Sequence, residues 1–131
     1  MILLPITLCM AAAAALINFW LSIRCGQVRI KEKINIGTGG SDVMERRMRA
    51  QLNFAENTPW VLMLILGIEL AGKGVGWLAI VGALYMIGRV AHGLGMDGGT
   101  FEKGRGFGVM VTMLTQIGLA IVAVLVATGV M

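Results

Sequence analysis

Arg49, Asn53 and Glu56 are spaced so that, on a helix, they stand at i, i+4 and i+7 and share one face. Arg46 extends that face by a turn, and the stretch Arg46 to Pro59 leads straight into the apolar run Trp60 to Leu66. Ionisable groups in a membrane helix are expensive, roughly 2.5–3.5 kcal/mol each at the bilayer centre. A chain that keeps them on one stripe pairs them or uses them. Guanidinium, amide and carboxylate on one face can grip a small zwitterion by its carboxylates, amides and ammonium. The same residues can also be read as an Arg/Glu pair that neutralises itself inside a helix bundle.

The elements that must position this stripe follow from composition. The 131 residues are 57% hydrophobic, with a mean hydropathy of +0.84. That is too apolar for a soluble domain and enough for about four spans of ~20 residues. We expect an all-α integral membrane four-helix bundle in one domain over residues 1–131, with spans at about 2–24, 42–71, 75–96 and 104–130. Charged residues make up only 14% and cluster; the net charge of +4 reads as topology and anion binding. Nucleic acid is not an expected partner, because no soluble basic module exists.

The first span has a small, Ala-rich middle, Met10 to Leu16, suited to close helix packing. A secretory signal peptide is the rival reading; it lacks a positive n-region, and the apolar stretch is long. Gln27 to Gly40 reads as a polar loop carrying Arg29, Lys31 and Lys33. Ser41 or Asp42 caps the second helix, and Pro59 within it predicts a kink. Arg89 and His92 lie one turn apart on the third span, with Met96 continuing their stripe. On the fourth, Gly104 and Gly108 allow a neighbour to approach closely. Cys9 and Cys25 are separated by ~24 Å on one helix and cannot bridge. Neither has a His or CxxC partner, so packing is their expected role and no metal site is expected. Glu69 is expected to snorkel at an interface. The ten Met residues, Phe19, Trp60 and Trp77 read as packing and interfacial belt.

Lys and Arg concentrate in the first and third loops and their flanks, while the middle turn holds only Lys73. Both termini are therefore expected on the non-cytosolic side. Every candidate functional charge except Glu69 then falls at the cytosolic third. Arg29, Lys31 and Lys33 also meet anionic membrane lipid there.

Arg49-Ala50-Gln51-x-Asn53-x-x-Glu56-x-x-Pro59 resembles the second-helix signature of the MAPEG family, the membrane-associated proteins of eicosanoid and glutathione metabolism. The resemblance spans nearly the whole chain, with its weakest segment in helix one. It implies a homotrimer in a bacterial inner membrane that binds glutathione as co-substrate between subunits. It also implies a microsomal-type glutathione transferase in detoxification, with possible peroxidase activity, acting on hydrophobic electrophiles from the bilayer. By resemblance, Arg49, Asn53 and Glu56 hold the peptide, and Gln51 and Arg29 match ligands in the leukotriene-forming member. Arg89, expected as a further glutathione ligand, and His92 match the third-helix stripe, where tyrosine commonly replaces His92. Arg105, opening the fourth helix, matches the thiol-activating arginine, with Lys103 the less favoured substitute; His92, by its side of the membrane, is the catalytic candidate to take the thiol proton. Met96 and Asn57 stand where tyrosines are found, which puts substrate contacts in doubt.

A thiol of pKa about 8.5 is mostly protonated at neutral pH, and a nearby guanidinium favours the thiolate without giving up its own proton. A non-catalytic scaffold or regulator of the same fold is the competing function. A small multidrug exporter is disfavoured, since Ile2 to Ile23 contains no acidic residue.

Overall fold

The computed structural model describes all 131 residues, and they form four long helices: α1 (Pro5–Glu32), α2 (Asp42–Leu70), α3 (Val75–Gly95) and α4 (Lys103–Ala127). A single 3-10 turn, Gly99–Phe101, precedes α4. The all-helical bundle expected from the sequence is what the chain forms. Three elements are long and apolar enough to cross a membrane: Pro5–Glu32, Val75–Gly95 and Gly99–Ala127. The 29-residue α2 is long enough, at ~1.5 Å per residue, to cross a bilayer. Its first half, however, carries the polar stripe.

Helix α1 is longer than expected. It continues through Gln27 to Glu32, so Arg29 and Lys31 stand on its last turn and only residues 33–41 are loop. Cys25 and Val28 explain the extension: they pack with Ile34 and Met44 in a small apolar cluster that ties the end of α1 to the start of α2. Burial of that apolar face outweighs the polar character of the segment. In the Ala-rich middle of α1, Ala14 is buried within the chain while Ala11, Ala12 and Ala15 face outward.

Ser41, not Asp42, is the α2 N-cap: its Oγ accepts the Met44 N–H at 3.2 Å. The helix then runs unbroken through Pro59, although proline removes one rung of its hydrogen-bond ladder. Helix α1 has Pro5 in its first turn and no side-chain cap of its own. Glu69, from the far end of α2, supplies one. Its carboxylate accepts the Ile6 and Thr7 N–H groups at 2.9 and 2.7 Å and the Thr7 hydroxyl at 2.6 Å. Glu69 is therefore an anionic cap on a neighbouring helix rather than a snorkelling side chain, as the unpaired N–H groups and dipole of a helix N-terminus favour.

Helices α3 and α4 meet most closely, and glycine makes that possible, as Gly104 and Gly108 predicted. A Cβ on Gly108 would lie 2.5 Å from the Gly88 carbonyl oxygen and from the His92 Cβ; one on Gly104 would lie 2.7 Å from the Ala91 carbonyl oxygen. A Cβ on Gly95 would run into the backbone nitrogen of Arg105. The core holds Leu21, Phe54, Val61, Ile65, Leu78 and Tyr85. Polar groups are buried with them: Arg89, Thr58 and Thr112 are each at most 2% exposed. The outer surface is apolar, with Leu16, Phe19, Leu114 and Ile117 exposed.

Candidate functional site

A cavity of about 190 Å³ opens at the end of the bundle where α2 begins and α3 ends. Arg49, Leu52, Asn53 and Glu56 of α2 form one wall; His92 and Met96 of α3, with Arg105 and Val109 of α4, form the other. The helical stripe expected from spacing is thus a real surface. Five of the expected residues, from three helices, converge on one cavity: Arg49, Asn53, Glu56, His92 and Arg105.

Arg49 and Glu56 do not neutralise one another. Arg49 Nε donates to Glu45 Oε1 at 3.1 Å one turn back, in a pair more than half exposed. Such pairs are worth only about 0.3–0.5 kcal/mol, so an anionic ligand can compete for the guanidinium. Glu56 and Arg105 take part in none of the chain's ion pairs. His92 is 3% exposed. Its Nδ1 is buried with no hydrogen-bond partner, and its Cβ abuts Gly108. Lys103 does not line the cavity.

Arg89, expected among the ligands, lies behind the wall instead. It is 1% exposed, its Nη1 donates to Thr112 Oγ1 at 2.9 Å, and its Nη2 donates to Asn53 Oδ1 at 2.7 Å. The Phe54 ring lies 5.9 Å from its guanidinium carbon, and Nε has no partner. By taking the Asn53 oxygen, Arg89 fixes that amide's orientation and leaves its NH₂ to face other acceptors. A buried cation without a carboxylate is costly, and this one is held only by neutral dipoles and a ring.

Arg29 and Gln51 are elsewhere. They line a separate groove of about 570 Å³ between α1 and α2, with Asn18, Ser22, Cys25 and Met48. Gln51 Nε2 donates to Ser22 Oγ at 2.6 Å, and Arg29 Nη1 donates to the Gly37 carbonyl at 3.0 Å. One chain therefore does not bring the eight expected residues together.

Sequence reasoning missed the polar framework around the cavity. Asp97, in the turn after α3, forms ion pairs with Arg24 of α1 and Arg47 of α2. Deeper in the bundle, Gln116 Nε2 donates to Asn57 Oδ1 at 3.0 Å, and the Thr58 and Tyr85 hydroxyls bond at 3.0 Å. These pairs lie far apart in sequence, and no local spacing rule announces them. Leu52 and Val109, the apolar part of the cavity, carried no signal because aliphatic residues are common throughout the spans.

Residues 7–125 match the model of the MAPEG family. The chain belongs to the MAPEG family. No curated protein sequence matches it. The match takes in nearly all of the four helices, both walls of the cavity and the α1–α2 groove. It makes the chain an integral membrane helical bundle of the glutathione and eicosanoid family. A MAPEG bundle has lipid around it, which accounts for the apolar exterior and the polar interior described above. The family includes glutathione transferases and non-enzymatic members, and a shared fold does not fix the activity.

Proposed function

We propose that this MAPEG protein is a membrane-bound glutathione transferase that forms the glutathione thiolate and joins it to hydrophobic electrophiles from the bilayer. The convergence of Arg49, Asn53, Glu56, His92 and Arg105 on one cavity carries the proposal. The residue types match the ligand group by group. Arg49 suits a carboxylate, the free Asn53 NH₂ a peptide carbonyl, and Glu56 the ammonium.

Arg105 is the thiol-activating residue in this scheme. It lines the cavity and has no carboxylate partner among the chain's ion pairs, and a guanidinium offers a planar, charged donor fork to an adjacent thiolate. The glutathione S–H gives up its proton to water or to His92, leaving a thiolate beside the guanidinium. The sulfur lone pair then forms the new bond to the electrophilic carbon while the leaving group departs with its bonding electrons. A groove of about 490 Å³ between α3 and α4, running from Trp77 to Phe107, offers an apolar bed for the electrophile. Peroxide reduction by the same thiolate is a compatible second activity.

The protein acts in this proposal as a homotrimer. At about 190 Å³ the cavity is smaller than the roughly 300 Å³ at which small-molecule pockets begin. Arg29 and Gln51, the remaining ligands, line a different face. A head-to-tail ring would set the α1–α2 groove of one subunit against the cavity of the next and complete each site. The polar residues Asn18, Ser22 and Gln51 on an otherwise apolar surface favour such a neighbour. Both termini lie on the non-cytosolic side of the inner membrane, with the cavity at the cytosolic end.

Titration of the detergent-solubilised protein with glutathione, read by thiolate absorbance, tests the function. A saturable thiolate signal is expected. Glutathione binding without thiolate, or no binding by folded protein, would leave the non-catalytic reading of this MAPEG fold.

A further inference from the structure

Asp97 is outside the cavity, yet it sits where the cavity's two walls are joined. Near the cavity, two polar ties cross from α2 to the wall made by α3 and α4. At the floor, Arg89 donates to Asn53 at 2.7 Å; at the rim, Arg47 Nε donates to Asp97 Oδ1 at 3.4 Å. The other Asp97 oxygen is paired with Arg24 Nη2. Arg24 in turn donates to the Gly93 carbonyl at 2.8 Å, lies 4.8 Å from the Trp20 ring, and receives Arg47 Nη1 at its own carbonyl at 2.9 Å. One carboxylate thus ties α1, α2 and the end of α3. From Asp97 the chain passes through the 3-10 turn to Arg105, whose backbone packs against Gly95, two residues before Asp97, with no room for a Cβ between them.

We infer that Asp97 is a positioning residue: held by Arg24 and Arg47, it sets the distance of the Arg105 guanidinium from the α2 wall, and with it the ease of thiolate formation. The inference rests on the glutathione reading of the cavity. It has a sign that a charge effect does not share. Asp97 is an anion near the site, so through charge alone its loss would favour the thiolate and lower the thiol pKa. Through geometry, its loss withdraws Arg105 and raises that pKa.

The test is glutathione thiolate absorbance against pH in wild type, Asp97→Asn, Asp97→Glu and Arg47→Gln. Amide hydrogen exchange over residues 103–107 is followed in the ligand-free proteins. For Asp97→Asn we expect the thiol pKa to rise by about one unit, a tenfold loss of thiolate below it. Turnover falls about tenfold while KM stays within about threefold, and exchange at the start of α4 quickens. Asp97→Glu recovers part of the effect. Arg47→Gln should quicken exchange over residues 103–107 in the same way, and exchange in this variant carries the test if Asp97→Asn does not fold, because loss of a cation raises the thiol pKa by charge alone. A folded variant whose thiol pKa is unchanged or lowered overturns the inference. If wild type forms no thiolate, the glutathione reading falls by itself and exchange alone decides: quickened exchange keeps Asp97 as the tether of Arg105, and wild-type exchange removes it.

Discussion

The α3–α4 seam and the α1–α2 groove are built in opposite ways. Along the seam, Gly88, Gly95, Gly104 and Gly108 bring two backbones together with no room for a Cβ. The groove is open, and it is lined by Asn18, Ser22, Arg29 and Gln51. A close-packed seam has few alternative arrangements, so it makes a firm wall for His92, with Arg105 at its end beside the turn that Asp97 holds. An open polar groove on an apolar exterior is an unfinished surface. In the proposed trimer, the seam would supply the rigid half of each site and the groove of a neighbouring subunit the other half.

The largest expected effect comes from the chemistry mounted on the seam. Arg105→Ala should cut turnover with a model electrophile by about 10²–10³, the usual effect of losing one charge-stabilising donor. It should leave glutathione binding mostly intact. Arg105→Lys should recover part of the rate, since charge survives while the planar fork is lost. Wild-type turnover in folded Arg105→Ala would move the role to another cation, with Lys103 the next to change.

Next comes the seam itself. Gly108→Val places branched carbon where the Gly88 carbonyl and the His92 Cβ already stand within 2.5 Å of a single Cβ. Overpacking of this kind costs about 1–3 kcal/mol, and more when the obstacle is backbone. Gly118→Val, on the same helix but with nothing within 4 Å of a Cβ, is the control. Thermal unfolding in detergent should show a large loss for the first and little for the second. Equal melting temperatures would mean that the seam is not held tightly.

The seam and the groove also differ in how much of them the sequence revealed. The stripe Arg49–Asn53–Glu56 was legible because helix spacing is local and periodic. Gly104 and Gly108 were legible for the same reason. Arg105 and His92 entered by resemblance, and the cavity does gather them with the stripe. What could not be read depends on distant pairing. Asp97 meets Arg24 across 73 positions, and Glu69 meets Thr7 across 62. The resemblance places Arg89 among the ligands, but tertiary packing turns it inward to Thr112 and Asn53. The polar residues at the end of α1 suggest loop, while the apolar contact of Cys25 and Val28 with Met44 decides for helix.

On the cavity wall opposite the seam, Arg49→Ala should weaken glutathione affinity by about 1.5–3 kcal/mol, the value of a charge-assisted contact. Protein stability should barely move, since the Arg49–Glu45 pair is exposed. Calorimetry on folded protein checks both. Unchanged affinity would reduce Arg49 to its helix-surface pair with Glu45.

The smallest effect is expected in the groove, and it bears most directly on how groove and seam are related. Gln51 donates to Ser22 Oγ within its own chain at 2.6 Å, in an exposed setting. Removing an exposed hydrogen bond of this kind costs the fold no more than about 1 kcal/mol. Gln51→Leu should therefore leave the unfolding temperature close to wild type. If the groove faces a neighbour's cavity, the same change should also weaken glutathione binding about three- to tenfold, the loss of one neutral hydrogen bond. Mixed assembly separates the two possibilities. Gln51→Leu subunits are co-expressed with Arg49→Ala subunits, and the sites are counted by calorimetry. A site built from two chains gives some pairings with both residues intact and some with neither. The population then splits into strong, intermediate and very weak sites. A site built within one chain gives only singly damaged sites. Finding only the singly damaged classes would place Gln51 and Arg49 in one subunit's site and remove the reason for setting the open groove against the closed seam of a neighbour.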